Sequence, residues 1–556
     1  MSALAYRLPD GLAADIDAFD ADVRRFLAGE LDSAVFKDRR VPRGIYEQRR
    51  DGTYMLRVRL PGGLLAATQA RALAGIGREF GGGTLHVTTR QDIQLHDLRI
   101  ADTPAVMRRL LAAGLTCKGG GGNTVRNVTA CPHAGICPRE RFDVTPHALA
   151  VTEHLIAQAG SYSLPRKFKI AFSGCAADCA LAEVNDLGFF AEVRDGQPGF
   201  AVCAGGGMGA ESRVADRLVE WLPAGECVRA AEAVRRLFDR FGDRTNRRRA
   251  RLRFAVARLG PEAFAQEFFR EFAAVTADGA PVCAAPPAPA PAGAACLPPE
   301  QALVGRAGLD VLPQRQPGLV AVPLRLPLGQ VAWQDLEALA AIAERFSGER
   351  ALRAANQKLL LRSVREPDLP ALRAALAALR QDVTTPSTLD AFVACTGAAT
   401  CRLGFCLSQD AARACAEALA RAGIAPEGLR GLDIRLNGCP NACGHAPIGT
   451  VGLAGCFVRA GGRPAPAYRV LLGARRGQGR TRFGEDAGLV PAGSLPAFLL
   501  DLVRAFRARR LEGEAFSDCY DRLRPAFFRA LVARHAVAED VAGEGPAPAA
   551  AGECRP

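Results

Sequence analysis

The sequence predicts an α+β protein built as a tandem duplication. Each copy begins with a β-α-β half-domain and continues into an α/β domain that carries cysteines. With 556 residues the chain is long enough for about three or four ordinary domains. Three observations predict this organisation: a cysteine quartet occurs twice, other segments recur at nearly the same offset, and both halves repeat the same order of strand and helix patterns.

The two cysteine quartets have identical spacing. The first quartet is Cys131, Cys137, Cys175 and Cys179, and the second quartet is Cys395, Cys401, Cys439 and Cys443. Each member of the second quartet follows its counterpart by 264 residues. Random placement of 18 cysteines would not produce this match, so the repeated unit contains a functional cysteine site.

The repeat extends beyond the cysteines. Segments that match at an offset of 266 residues are 60–63 with 326–329, 76–80 with 342–346, and Gln91 with Gln357. Alternating and helical periods predict a strand, a helix and a second strand in each copy. These predicted elements are 54–60, 68–80 and 84–95 in the first copy, and 322–326, 333–346 and 352–364 in the second. A further strand, 167–172 or 432–436, leads into the second cysteine pair of each copy.

Composition gives the predicted domain boundaries. A Pro/Ala-rich stretch separates the copies, and a similar stretch ends the chain. The predicted sections are an N-terminal helical segment 1–40, a first half-domain 41–116, a first cysteine-bearing domain 117–278, a linker 279–300, a second half-domain 301–372, a second cysteine-bearing domain 373–540 and a disordered tail 541–556.

The overall composition predicts a cytoplasmic protein without a membrane span. The chain starts without a secretory pattern and has no apolar run of about 20 residues. The net charge of +13 reflects either an Arg-rich composition or a surface that attracts anionic substrates and an acidic electron donor. Nucleic-acid binding is not expected, because the basic run 246–251, which we place in a helix-like segment, lacks interleaved aromatic residues.

The quartet spacing favours an iron–sulfur cluster. Structural zinc sites prefer shorter cysteine pairs, whereas four thiolates at other spacings commonly hold [4Fe–4S]. The alternative, that these cysteines are buried apolar residues, is disfavoured because the whole quartet occurs twice.

In Cys395, Cys401 and the segment 438–444, the chain resembles the siroheme-dependent and [4Fe–4S]-dependent nitrite and sulfite reductases. The resemblance implies ferredoxin-like half-domains paired by a pseudo-two-fold, each followed by a siroheme and iron–sulfur domain, with substrate bound between the halves. It also implies that Cys443 joins the cluster to the siroheme iron. The implied reaction is the six-electron reduction of nitrite to ammonium or of sulfite to sulfide.

The same resemblance assigns an anion pocket to the first copy. Arg90, Arg126, Lys167 and Lys169 are its expected substrate-binding cations, with the lysines as proton sources. Because Lys167 and Lys169 alternate on a predicted strand, they face the same side. The repeat supplies a comparison, since the second copy has no cation at any matching position. The replacements are Asn356 for Arg90, Asp390 for Arg126, Gly431 for Lys167 and Asp433 for Lys169.

Other residues of the resemblance concern the cofactors. Asn441 and Arg166 are expected to contact siroheme carboxylates. The glycine run 205–209 presents backbone amides to such an anion or is a simple turn. The first quartet departs from the better-known assimilatory members, whose first half has none. We expect it to hold a second [4Fe–4S] cluster, and the alternative is a relic that binds nothing.

Several functional alternatives remain at this level. Nitrite is favoured slightly over sulfite by the sequence around the cysteines. A tetrapyrrole oxygenase of the precorrin-3B synthase type and a non-catalytic electron-transfer or siroheme-binding subunit are the other readings, and both are disfavoured by the cation set. No dinucleotide-binding glycine motif follows a strand, so electrons are expected from an external ferredoxin or flavoprotein.

Overall fold

The computed structural model describes residues 6–284, 303–460 and 463–536. These residues form two compact units. Unit 1 contains the described residues up to 46, 52–207 and 213–384, and unit 2 contains 47–51, 208–212 and the described residues from 385 onward. The predicted tail and most of the predicted linker lie outside the described residues. No helix in the described ranges has the length and apolar character needed to cross a membrane.

The helices of the described chain fall mainly in unit 1. They are α1 (Leu12–Leu27), α2 (Ser33–Arg40), α3 (Ala67–Phe80), α4 (Thr103–Ala112), α5 (Thr145–Ala157), α6 (Cys227–Phe241), α7 (Leu252–Leu259), α8 (Pro261–Ala277), α9 (Trp333–Phe346) and α10 (Leu369–Ala377). Unit 2 contributes α11 (Ser408–Arg421), α12 (Leu495–Arg509) and α13 (Phe516–Ala533).

Two sheets of unit 1 form the paired half-domains. In spatial order, the first sheet is β1 (Ile45–Glu47), β2 (Tyr54–Val58), β5 (Ile93–Leu98), β4 (Thr84–Val87) and β14 (Gln330–Ala332). The second sheet is β11 (Val304–Arg306), β12 (Leu309–Pro313), β13 (Leu319–Leu324), β16 (Lys358–Arg365), β15 (Ala351–Ala355) and β3 (Leu64–Ala66).

The half-domains exchange one short strand each. Strand β3 belongs to the first copy but pairs with β15 of the second, with Leu65 opposite Leu352. Strand β14 makes the reciprocal pairing with β4, with Val331 opposite Leu85. Helices α3 and α9 then pack against each other, and buried residues of both copies form one hydrophobic core. This reciprocal arrangement confirms the predicted pairing of two ferredoxin-like half-domains.

The predicted second strand of each half-domain is wrong in one respect, because it is a hairpin. Strands β4 and β5 are joined at Gln91, whose φ is 62°, and β15 and β16 at Asn356 and Gln357, with φ of 46° and 66°. A left-handed backbone reverses the chain at these positions. No glycine or proline marks these turns, so the apolar alternation alone predicts one continuous strand.

A third sheet in unit 1 carries the first quartet. Its order is β10 (Asp216–Pro223), β9 (Gln197–Ala204), β8 (Leu187–Arg194), β7 (Ile170–Ser173) and β6 (Thr129–Ala130). Strands β6, β7 and β8 are parallel, and β8, β9 and β10 are antiparallel. The core beneath this sheet contains Phe172 stacked on Phe189, with ring centroids 4.4 Å apart.

Unit 2 repeats this sheet. Its order is β17 (Phe392–Ala394), β18 (Ile434–Asn437), β19 (Val451–Ala460), β20 (Arg463–Leu472) and β21 (Glu485–Pro491). The first three strands are again parallel and the remaining pairings antiparallel. The described chain is therefore an α+β duplication in which each cysteine quartet follows the same pair of parallel strands.

Candidate anion and cluster sites

Arg90 is held in the turn between β4 and β5 by two hydrogen bonds. Its Nη1 donates to Asn185 Oδ1 at 2.7 Å, and its Nη2 donates to the backbone oxygen of Asn127 at 2.7 Å. Burial lowers the pKa of Arg90 to about 10, while the carboxylates of Asp92 and Asp186 oppose this shift. The side chain is therefore a fixed and still protonated cation at neutral pH.

Arg126 is anchored to backbone oxygens and contacts a tyrosine that sequence reasoning missed. Its Nη2 donates to Gly122 O at 2.8 Å and lies 3.5 Å from Tyr46 Oη. Tyr46 Oη accepts the Gly122 N–H at 2.9 Å. Burial raises the pKa of Tyr46, but Arg126 and Arg57 outweigh it, so the net shift is downward. Nothing in the sequence marks this pair, because its members are 80 residues apart.

The two predicted lysines lie beside each other, although the predicted strand boundary is wrong. Strand β7 begins at Ile170, and Lys167 and Lys169 precede it. Phe168 alone forms a bridge, with Val125, and it is buried, whereas both lysines are half-buried. Burial therefore alternates along residues 167–169 as the strand prediction requires. These residues form a single bridge rather than a strand.

Lys169 lies among several positive charges. Its backbone N–H donates to Asp186 Oδ2 at 2.9 Å. Burial, followed by the charges of Arg90, Lys167 and Arg251, holds the pKa of its amine well below the usual range, and Asp186 opposes them. A lysine with a depressed pKa can give up a proton near neutral pH, as a general acid must.

Arg251 is a further cation beside the predicted ones, and no sequence pattern singles it out. It forms a buried, two-pronged ion pair with Asp186, with Nη2 2.8 Å from Oδ2. The basic run that contains it was predicted to be helix-like, but α7 begins only after it, at Leu252. Arg166 interacts electrostatically with Arg251. Burial, followed by the charges of Arg247 and Arg251, lowers the pKa of Arg166 to about 10.

The structure thus brings the predicted cations of the first copy into one electrostatically coupled group. We call this group the cation cluster, and its members are Arg90, Arg126, Arg166, Lys167, Lys169 and Arg251. The arrangement can bind a small anion and supply protons to it.

The matching positions of unit 2 hold paired carboxylates instead. Asp433, the counterpart of Lys169, forms ion pairs with Arg435 at 2.7 Å and Arg476 at 3.4 Å. Asp390, the counterpart of Arg126, accepts the Ser387 N–H at 2.9 Å. At these two positions the second copy therefore has carboxylates where the first copy has cations.

The second quartet follows two adjacent parallel strands. Cys395 follows β17 and Cys439 follows β18, so both loops leave the same edge of the sheet. Burial and then the neighbouring Cys443 raise the pKa of Cys395 to about 11 and that of Cys439 to about 12. Burial and Cys443 also raise the pKa of Cys401. Cys443 is itself exposed, so all four sulfurs interact while one remains open to solvent.

Two of these sulfurs accept hydrogen bonds. The Gly438 N–H donates to Cys395 Sγ at 3.2 Å, and Asn441 Nδ2 donates to Cys439 Sγ at 3.6 Å. Such bonds stabilise the thiolate form and tune the potential of an iron–sulfur cluster. In this structure Asn441 contacts a sulfur; its role toward a siroheme carboxylate stays a prediction.

The first quartet follows the corresponding two parallel strands of unit 1. Cys131 follows β6 and Cys175 follows β7. A hydrogen bond between the Cys131 and Cys179 thiols, together with burial, holds the pKa of Cys131 well above its usual range. Burial, with Cys131 nearby, also raises the pKa of Cys137.

Neither quartet is arranged around a single metal ion. Within the described ranges, no three Cys, His, Asp or Glu side chains converge closely enough to ligate one ion. Zinc requires such convergence, because Zn–S bonds are about 2.3 Å long. The thiols of each quartet are the ligand type that a [4Fe–4S] cluster uses.

The glycine run fits the turn alternative at its first positions. The Gly205 N–H donates to the Asp186 backbone oxygen at 2.9 Å. A Cβ at Gly206 would lie 2.5 Å from the Asn185 backbone oxygen. Glycine is required there by close backbone packing.

Comparison with known proteins gives consistent matches along the chain. The nitrite and sulphite reductase 4Fe-4S domain matches residues 121–274, and the nitrite/sulfite reductase ferredoxin-like half domain matches 46–113 and again 312–379. The ferredoxin–nitrite reductase of Synechococcus elongatus is 33% identical over 434 residues, covering 77% of this chain and 81% of that protein.

Two mycobacterial proteins are also similar. The ferredoxin-type sulfite reductase 1 of Mycolicibacterium paratuberculosis is 28% identical over 84% of this chain and 81% of its own length. The solved structure of the Mycobacterium tuberculosis NirA protein superposes with a TM-score of 0.79 at 27% identity, covering 92% of this chain and 95% of that one.

Proposed function

Because the chain belongs to the nitrite and sulfite reductase family and is an oxidoreductase with siroheme and [4Fe–4S] as cofactors, we propose that it reduces nitrite to ammonium. Sulfite reduction to sulfide is the second candidate, since one similar protein is named a sulfite reductase. The observation that carries the proposal is the cation cluster of unit 1, whose mutual repulsion a bound oxyanion would relieve.

Arg90 and Arg126 are suited to bind the oxyanion. Both guanidinium groups are oriented by hydrogen bonds to fixed acceptors, so little side-chain freedom is lost on binding. Buried or half-buried cations also interact with an anion more strongly than cations in water do. These two residues therefore supply affinity and orientation.

Lys169 and Lys167 are suited to supply protons. Each oxygen removed from the substrate leaves as water and consumes two protons. The field of the cation cluster lowers the pKa of Lys169. A bound anion would raise that pKa again, so the amine would be protonated when substrate is present and would give up its proton as negative charge is lost.

The second quartet is suited to hold the [4Fe–4S] cluster through Cys395, Cys401, Cys439 and Cys443. Its thiols interact electrostatically with one another, and two receive N–H···S hydrogen bonds. Cys443 is the exposed member, so its sulfur would be accessible to the siroheme when that cofactor is bound. Siroheme, when bound, supplies the redox-active iron at which the substrate is reduced. Arg166 and Asn441 are proposed as partners of its carboxylates, because guanidinium and amide groups donate well to carboxylate oxygens.

The electron donor is proposed to be a ferredoxin. Two of the similar reductases carry ferredoxin in their names. The net charge of +13 would attract an acidic donor protein and speed its encounter. A cytoplasmic location fits the 18 cysteines, since thiols stay reduced in that compartment.

The test is turnover of the anaerobically purified holoenzyme with one artificial one-electron donor. We expect measurable kcat/KM for nitrite, and the ratio to kcat/KM for sulfite identifies the preferred substrate. Stoichiometric ammonium from nitrite would support the six-electron reaction. Turnover of neither anion by protein that carries siroheme would contradict the proposal and favour a non-catalytic electron-transfer subunit.

A further inference from the structure

We propose that the first quartet binds a second [4Fe–4S] cluster through Cys131, Cys137, Cys175 and Cys179. This goes beyond the proposed reduction, which requires only the cluster of the second quartet. The inference rests on two kinds of observation: matching positions of the two quartets share hydrogen bonds and left-handed residues, and a buried arginine with unused hydrogen-bond donors lies beside the first quartet.

The strands that deliver the two quartets are hydrogen-bonded identically. The Cys131 N–H donates to Phe172 O at 2.9 Å, and the Cys395 N–H donates to Leu436 O at 3.2 Å. Each bond joins the first cysteine of a quartet to the strand that precedes the third. In unit 1 the strand before Cys131 is also fixed by the Gln91 amide, which exchanges hydrogen bonds of 2.9 and 3.0 Å with the Ala130 backbone.

The loops around the second cysteine pair follow the same path. Asp178 and Ala442, at matching positions, have φ of 53° and 56°. Leu181 and His445, also matching, have φ of 57° and 63°. A left-handed conformation costs a residue with a side chain roughly 1–2 kcal/mol, and the loops of both quartets have this cost at the same two positions.

Asp178 holds the strained loop of the first quartet in place. Its Oδ1 accepts the Ser173 hydroxyl at 2.5 Å and the Ala182 N–H at 2.6 Å, and its Oδ2 accepts the Glu183 N–H at 3.3 Å. The carboxylate is buried. The loop therefore has a built framework that presents Cys175 and Cys179, and the Cys179 thiol meets that of Cys131.

A buried cation with unused hydrogen-bond donors lies beside this quartet. Arg353 is 1% exposed, and its charge interacts with the carboxylates of Glu349 and Asp143 and then with Cys131. Its Nη1 donates to Gly62 O at 3.0 Å, whereas Nε and Nη2 have no hydrogen-bond partner within the described residues. A buried unsatisfied guanidinium is costly unless an anion compensates it.

A [4Fe–4S] cluster with four thiolates is such an anion, because its oxidised core carries two positive charges against four negative ligands. A second arginine braces the loop between the first two cysteines. Arg362 donates to Pro132 O at 3.1 Å and to Ala134 O at 2.8 Å. The first quartet thus has the thiols, the rigid loops and the compensating charge that an anionic cluster needs.

The experiment measures acid-labile sulfide per chain in anaerobically prepared holoenzyme and in two variants. One variant is Cys131→Ser/Cys179→Ser and the other is Cys395→Ser/Cys439→Ser. We expect each variant to retain about half of the wild-type sulfide, since each loses one cluster. Cys203→Ser, which alters a buried thiol outside both quartets, is the control and should retain all of it.

Wild-type sulfide in the first variant and none in the second would overturn the inference. The Mössbauer spectrum of the wild type gives a result even if a variant does not fold: two cluster components support the second site, and a single component refutes it. Nitrite turnover is measured on the same wild-type sample. One cluster with turnover would refute only this inference, whereas two clusters without turnover would refute only the proposed function.

Discussion

Lys169 has acid–base properties that depend on the charges packed around it. Burial and the cations Arg90, Lys167 and Arg251 all lower its pKa, while Asp186 raises it. The lysine must be protonated to act as a general acid, so activity should decline as pH rises through this lowered pKa. The alkaline limb of the pH profile is therefore expected below the range of an ordinary lysine.

Replacing Lys167 by Gln tests this relation. The variant removes one positive charge, so the pKa of Lys169 rises and the alkaline limb of kcat/KM for nitrite moves to higher pH. The measurement is the pH dependence of kcat/KM with an artificial donor. Lys358→Gln alters a half-buried lysine outside the cation cluster and serves as the control. An unmoved limb, with the cofactor spectrum retained, would show that Lys169 is not the titrating acid.

Sequence reasoning identified most of the cation cluster but not all of it. Arg90, Arg126, Lys167 and Lys169 were found because a family resemblance pointed to them and the repeat showed cations in one copy only. Tyr46 and Arg251 were missed because their importance comes from contacts at long sequence separation, with Arg126 and Asp186 respectively. No local pattern records such contacts.

The exchanged strands are the feature that joins the two half-domains. Strands β3 and β14 have three residues each, too few for a period-2 pattern to be recognised. The sequence therefore predicted the β-α-β order of each copy but not the exchange. Their pairing became visible only when the backbone placed Leu65 opposite Leu352 and Val331 opposite Leu85.

Gly63 tests how much this exchange depends on close backbone packing. Its φ is 75°, and an added Cβ would lie 2.5 Å from Ala354 O, next to the exchanged strand β3. Gly318 has a similar φ of 73° but no neighbour within 4 Å of its Cβ position. We expect Gly63→Ala to be about 1–3 kcal/mol less stable than Gly318→Ala, since both share the left-handed cost and only one adds a clash.

The stability difference is measured from the urea-unfolding midpoints of the two variants at the same pH. Midpoints are compared directly when the two denaturant m-values are equal. Equal midpoints would mean that β3 can shift away from β15 without cost, and the exchange would then be a loose contact rather than a fixed part of the half-domain pair.

Across the whole molecule, buried neutral histidines make stability depend on pH. Burial lowers the pKa of His86 to about 3 and those of His96 and His147 to about 4. Each folded-state pKa lies below the unfolded value of about 6.5. Their stabilising contribution is therefore complete above pH 6.5 and is lost as pH falls from there toward the folded-state values.

His147 provides a single-residue test. It packs between Phe142 and Phe200, with ring centroids 5.5 and 5.1 Å away. Replacing it by Leu removes one titrating group, so the free energy of unfolding should fall less steeply between pH 6.5 and 4, by up to about 1.4 kcal/mol per pH unit. The measurement is Tm against pH for the variant and the wild type. Parallel curves would show that His147 is protonated equally in both states.

The duplication itself explains why the broad architecture was readable from sequence. The quartet spacing, the matching segments and the Pro/Ala-rich stretch can all be read directly from the sequence, and the repeated order of elements in both copies agrees with them. The two copies diverge where function differs: Lys169 corresponds to Asp433, which is engaged by Arg435 and Arg476. Comparing the copies therefore gave functional information that composition and periodicity lacked.

The central claim is that the cations of unit 1 serve the substrate and the second quartet serves the cofactors. The most direct test compares nitrite turnover and the cofactor absorption spectrum in Lys169→Met and Cys439→Ser, with Lys358→Met as the control. We predict that Lys169→Met keeps the wild-type spectrum and loses about 10²–10⁴-fold in kcat, whereas Cys439→Ser loses the part of the cluster spectrum that belongs to the second quartet. Wild-type turnover in Lys169→Met, or an unchanged cluster spectrum in Cys439→Ser, would contradict the account.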